Sequence, residues 1–92
     1  MRVLKADREL SAARMRAGYM HYRDGTNGEF LMLSWRPEAK AYLLEGAINS
    51  ETGREGVSVG YANLKTALRC YRVLSHKFEG KEYHLGPLGT AE

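Results

Sequence analysis

Leu64, Ala67, Leu68, Tyr71, Leu74 and Phe78 recur at spacings of three and four in the stretch from Asn63 to Phe78. That period puts them on one side of a 3.6-residue helix. Lys65, Arg69, Arg72 and His76 follow at spacings of four, three and four and form a second stripe on roughly the opposite side. Asn63 suits the N-cap and Gly80 the stop. A helix with one apolar stripe needs a cover, and 92 residues suit a single domain with one core. The helix therefore predicts a sheet beneath it and a basic face towards solvent.

The rest of the chain supplies strands. Tyr19 to Arg23 alternates and is rich in strand formers. Asp24-Gly25-Thr26-Asn27-Gly28 contains two hairpin-turn dipeptides. In Glu29 to Trp35, Leu31, Leu33 and Trp35 share one face and Phe30, Met32 and Ser34 the other, which predicts a central strand. Pro37 marks a turn. In Ala41 to Ile48, Tyr42, Leu44 and Ile48 alternate with Ala41, Leu43, Glu45 and Ala47. Asn49 to Gly56 is expected as a polar loop, and Val57 to Tyr61 as a short fourth strand. Tyr83-His84-Leu85 is expected as a short edge strand.

Before the strands, Leu4 to Ala17 reads as a first helix. Leu10, Ala13 and Ala17 form its apolar side, Asp7 and Glu9 lie early in it, Arg14 and Arg16 lie late, and Gly18 stops it. The expected fold is α+β: an antiparallel meander of three to four strands flanked by an N-terminal and a C-terminal helix, the latter packed on one sheet face. One domain over residues 1–85 is expected, with 86–92 as a mobile tail.

Charge narrows the function. The net formal charge is only +3. Residues 1–17 hold five basic and two acidic side chains, residues 29–62 three and five, and residues 63–78 four and none. Positive charge is thus concentrated in the predicted helices, which points to an anionic partner. The competing reading is an ordinary solvated face. The expected contact residues are Lys65, Arg69, Arg72, His76 and Lys77, with Arg8, Arg14 and Arg16 from the first helix. A lone Cys70, no secretory leader and no run of about 18 apolar residues lead to the expectation of a cytoplasmic protein off the membrane.

Chemistry-bearing patterns are sparse. Cys70 and His76 stand six apart, which is not a zinc spacing. His21 and Asp24 have no nucleophile beside them. The sequence has no nucleophile elbow, phosphate-cradling loop or paired-carboxylate motif. The expectation is a protein with no catalytic activity, metal or cofactor. Six tyrosines, two phenylalanines and one tryptophan remain. Trp35 and Phe30 are assigned to the core, and at least one of Tyr19, Tyr22 and Tyr42 to the open sheet face.

Gly53-Arg54-Glu55-Gly56, Tyr61, Ala67, Tyr71, Lys77, Gly80 and Tyr83 resemble the second half of a WGR domain, a family implicated in nucleic-acid binding. The match covers about a third of the chain, and Thr52 stands where that family carries its tryptophan. In size and character the whole chain also resembles small phage accessory proteins of the anti-CRISPR type. That resemblance implies a non-enzymatic inhibitor in the host cytoplasm. Its basic character implies a nucleic acid or a nucleoprotein partner, such as a CRISPR surveillance complex. The resulting expectation is a binding module, monomeric or weakly dimeric, that docks through its basic helix face. The alternative is a protein-interaction or dimerisation domain that uses the open sheet face or an edge strand.

Overall fold

Phe30–Arg36 carries apolar side chains on both faces, and it becomes β3, inside a six-stranded antiparallel sheet. In this computed structural model, which describes residues 2–5 and 8–87, the sheet order is β1-β6-β2-β3-β4-β5. The strands are β1 (Arg2–Lys5), β2 (Met20–Gly25), β3 (Phe30–Arg36), β4 (Ala41–Ser50), β5 (Gly53–Tyr61) and β6 (Gly80–Gly86). The helices are α1 (Ala12–Arg16) and α2 (Leu64–Ser75). The α+β class stands. Strands β2 to β5 are the expected meander, while β6 returns beside β2 and β1 pairs outside it.

Alternation decides what the sheet buries. Leu31 pairs with Gly46, and Leu33 with Leu44, on the face where α2 lies. Leu31, Leu33 and Leu44 are fully buried, and each contributes about 1.5–3 kcal/mol by leaving water. Ala67, Leu68, Tyr71 and Ser75 are the buried side of α2, which packs on β3, β4 and β5. The Asn63 side-chain oxygen accepts from the Lys65 and Thr66 backbone N–H groups, so the expected N-cap is present.

Several expectations need correction. The first helix does not start at Leu4: Val3, Leu4 and Lys5 pair with β6 as a strand, and only Ala12–Arg16 is helical. Ser11 explains the late start, because its side chain accepts from the Arg14 N–H and caps the helix there. Gly18 does end it, at a φ of +108° that only glycine adopts readily. The early residues Ala6 and Asp7 lie outside the described ones, as does most of the expected tail. Gly86 closes β6 and is buried, so the tail does not begin there.

Asn49 to Gly56 is not a loop. β4 runs through Ser50, turns over Glu51 and Thr52 and returns from Gly53, so β5 is nine residues long. Gly53, at a φ of +125°, lets the chain reverse in two residues. Tyr83-His84-Leu85 is interior rather than an edge, since β6 lies between β1 and β2. Phe30 leaves the core: it is half-buried on the open face, stacked on Tyr22 at 6.4 Å between ring centroids. Tyr19 and Tyr42 are buried, so Tyr22 is the one of the three tyrosines on the open face.

Candidate functional site

α2 covers only half of its sheet face. Over β2 and β6 the roof is the irregular stretch from Arg8 to Ser11, pinned by buried Leu10. The Leu10 N–H donates to Nε2 of His21 at 3.3 Å. Between this roof and α2 lies a cleft of about 240 Å³. Arg8 and Glu9 wall it on one side, Arg72, Ser75 and His76 on the other, and His21, Arg23 and Glu82 form its floor with Tyr71. A neighbouring depression of about 490 Å³ shares Arg8 and Glu9 and adds Lys5 and Arg14.

The α2 stripe runs into this cleft. Lys65, Arg69, Arg72 and His76 are all exposed. At about 100° per residue they cluster within roughly 60°, on the flank shared with Leu68 and Ser75. That flank faces β2 and β6. Arg72 ion-pairs with Glu9 across the cleft mouth. Two sequence stretches predicted to be basic are thereby joined: Arg8 meets Arg72 and His76 at one cleft, and Arg14 lines the depression beside it.

Other expected site residues are placed elsewhere. Arg16 lies with its guanidinium carbon 5.3 Å from the Trp35 ring centroid and lines neither cavity. The Arg14 guanidinium carbon is 5.1 Å from the Tyr19 ring centroid. Lys77 is exposed just beyond the His76 cap and does not line the cleft.

Sequence reasoning missed the floor. His21 and Arg23 stand two apart on β2 and therefore share one face, opposite His84 and Glu82 of β6. Burial, followed by the neighbouring His84, lowers the His21 pKa to about 4, so the ring is neutral at pH 7. Nε2 accepts from Leu10, so the proton sits on Nδ1, which finds no partner among the described residues. The Tyr71 hydroxyl and Arg23 Nε are likewise buried without a hydrogen-bond partner among them. Burial and then the Glu82 charge raise the Tyr71 pKa, so the phenol keeps its proton. Arg23 Nη1 stands 4.0 Å from Glu82 Oε2. The alternation of Tyr19, His21 and Arg23 with Met20 and Tyr22 shows which residues share a face, but not that the set with His21 and Arg23 is the one facing inward.

The arrangement presents converging donors: three guanidinium groups, a histidine at the rim and neutral N–H and O–H groups below. Two carboxylates, Glu9 and Glu82, partly offset the charge. Such a surface suits an anion that is already solvated at one side. Among the described residues no group of three or more His, Cys, Asp or Glu side chains is placed to hold a metal ion. No helix is long and apolar enough to cross a membrane.

The uncovered sheet face is different in kind. Met20, Tyr22, Met32, Leu43, Tyr83 and Leu85 all lie on it, each half-buried by its neighbours. Arg36 and Glu45 pair across it at 2.7 Å. No family model, no curated protein and no solved structure matches this chain.

Proposed function

We propose that this protein is a non-catalytic binding module that docks on nucleic acid, or on the nucleic acid of a nucleoprotein complex, along the α2 stripe and into the cleft at its end. The carrying observation is the convergence of Arg8 with Arg72 and His76 at one cleft, continuous with Lys65 and Arg69. α2 spans 12 residues, and Lys65 and His76 are 11 positions apart, about 16 Å along the axis. That length leaves room for several consecutive phosphates of one nucleic-acid strand to lie along the helix. An elongated polyanion fits this layout better than a small solute, because beyond the cleft Lys65 and Arg69 carry the positive charge on along α2. In its size and basic character the module suits a phage-encoded inhibitor acting on a host defence complex in the cytoplasm.

The test is binding of short single-stranded and duplex oligonucleotides, followed by fluorescence anisotropy at several salt concentrations. Three or four phosphate contacts give a log–log salt slope of about −2 to −4. Arg69→Glu with Arg72→Glu should flatten that slope and weaken every sequence alike, because phosphate contacts position rather than specify. Equal affinity and slope in wild type and double variant would remove the stripe as the binding site.

A second reading rests on the open face. Its contiguous apolar and aromatic residues suit a protein partner, and a partner seated there would leave the cleft free. Tyr22→Lys would then abolish capture of that partner while leaving oligonucleotide affinity unchanged.

A further inference from the structure

The two edges of the sheet are built differently. β1 is four residues long and ends in Lys5, and a short charged edge discourages strand addition. β5 is nine residues long, and its register against β4 runs unbroken from Gly53 to Tyr61 with no bulge. It contains no proline, and its charged side chains, Arg54 and Glu55, sit at the turn end. From Gly56 to Tyr61 it carries none of the devices that usually blunt an edge. Among the described residues nothing pairs its outer side.

The hydrogen-bond pattern of that outer side follows from the turn. A two-residue turn closed by Ser50 and Gly53 makes that pair exchange both bonds. Bonding towards β4 then falls on Gly53, Glu55, Val57, Val59 and Tyr61. Arg54, Gly56, Ser58 and Gly60 point their N–H and C=O groups outward. Val57, Val59 and Tyr61 share the face of Leu44, their cross-strand neighbour at Val59. Val59 is nonetheless 44% exposed. The α2 flank above them is the one bearing Cys70, whose thiol meets the Tyr61 hydroxyl. The basic stripe lies on the other flank, roughly 130° round the helix.

We infer that β5 is a self-association edge, which pairs antiparallel with β5 of a second copy about a two-fold axis at Ser58. In that register the two Ser58 residues exchange backbone bonds, Gly56 faces Gly60 of the second copy, and each Val57 faces a Val59. The valine pairs cover the exposed Val59 on the helix side, and β-branched pairs suit facing positions. Glycine and serine occupy the other side, so nothing bulky obstructs approach. A two-fold axis makes the same strand serve both partners. The result is a continuous twelve-stranded sheet with both basic stripes still open to solvent. About seven paired residues per copy bury about 1,200 Å² at most, the low end for specific interfaces, so the dimer is weak and concentration-dependent.

Sedimentation velocity from about 10 μM to about 1 mM tests this, with amide exchange measured on the same samples. The expected result is a monomer–dimer equilibrium, with exchange at Gly56, Ser58 and Gly60 slowing as concentration rises. Val59→Lys places like charges near the axis. Ser58→Pro removes an outward N–H that the monomer does not use. Each should raise the dissociation constant at least tenfold while leaving the per-protomer oligonucleotide affinity unchanged. A monomer throughout the concentration range overturns the inference. So does a dimer that both folded variants leave intact, or one that forms without slowing the three amides. If a variant fails to fold, the wild-type exchange data alone decide.

Discussion

The two halves of the helix-covered sheet face solve burial in opposite ways. Over β3 and β4 the cross-strand partners are Leu33 with Leu44 and Leu31 with Gly46, and the regular helix α2 seals them. Over β2 and β6 the partners are His21 with His84 and Arg23 with Glu82, and an irregular stretch roofs them. The first half gains free energy from the apolar surface it removes from water. The second must satisfy polar groups in a poorly hydrated place, and it leaves several without partners among the described residues. Stability resides in the first half. The second is retained at an energetic cost, and that is where a ligand surface is expected.

The sharpest way to break this contrast is to damage the apolar half. Leu44 is fully buried at the centre of the dry region. Leu44→Ala should lower stability by about 2–5 kcal/mol. A domain of this size holds only about 5–15 kcal/mol, so a chemical or thermal melt should show the loss at once. An unchanged melt would mean that α2 does not seal β3 and β4 as described.

The polar half should declare itself through pH. His21 has a folded pKa of about 4, below its ordinary 6.5. The unfolded chain therefore binds the proton first, and stability rises with pH across that window. The contribution is complete above about pH 6.5 and is lost as pH falls towards 4. Fully developed, a shift of this size amounts to roughly 3 kcal/mol. Groups facing His21 include His84, Tyr71, Arg23, Glu82 and Glu9, so the measured slope is a sum over the cluster. Urea melts between pH 4 and pH 7 should show the slope, and His21→Phe should reduce it. A wild-type protein equally stable at both ends would show that the ring is not held neutral by burial.

Much of the apolar half was legible in the sequence because periodicity encodes it. The three-and-four spacing from Leu64 to Leu74 specified α2 and most of its buried side, and Asn63 its start, but not its end. The helix stops at Ser75 with His76 as its cap, Phe78 is buried beyond it, and Gly80 opens β6 instead of ending the helix. The alternation in β3 and β4 specified which residues share a face. The polar half was not legible for a physical reason. His21 and Arg23 alternate with Met20 and Tyr22, and hydropathy alone turns the apolar pair inward. The choice was made by partners distant in sequence: β6 supplies His84 and Glu82, and Leu10 caps His21. β1 was misread as helix for the same reason, since Leu4 pairs with His84 some 80 residues away. The β5 edge was hidden because Asn49 to Gly56 has turn composition along its whole length, while only Glu51 and Thr52 actually turn.

The smallest effect on stability belongs to the ion pair that joins the two halves. Arg72 and Glu9 meet across the cleft mouth with their side chains about half exposed, at 56% and 48%. Water screens such a pair, and holding two long side chains together opposes it entropically. Its net contribution is therefore about 0–1 kcal/mol. Arg72→Ala should leave the melt almost unchanged. Binding should respond quite differently if the cleft receives a phosphate. Arg72→Ala removes one contact, so the log–log salt slope for an oligonucleotide should fall by about 0.7–0.9. Glu9→Gln has the opposite sign: it frees Arg72 from its competitor and removes a like charge from the ligand's path, so affinity should rise. The two variants together make a double-mutant cycle in which stability hardly moves while affinity moves in opposite directions. If Glu9→Gln weakens oligonucleotide binding, or if Arg72→Ala destabilises the fold by more than about 1 kcal/mol, the pair is a structural clasp rather than a gate to a ligand surface.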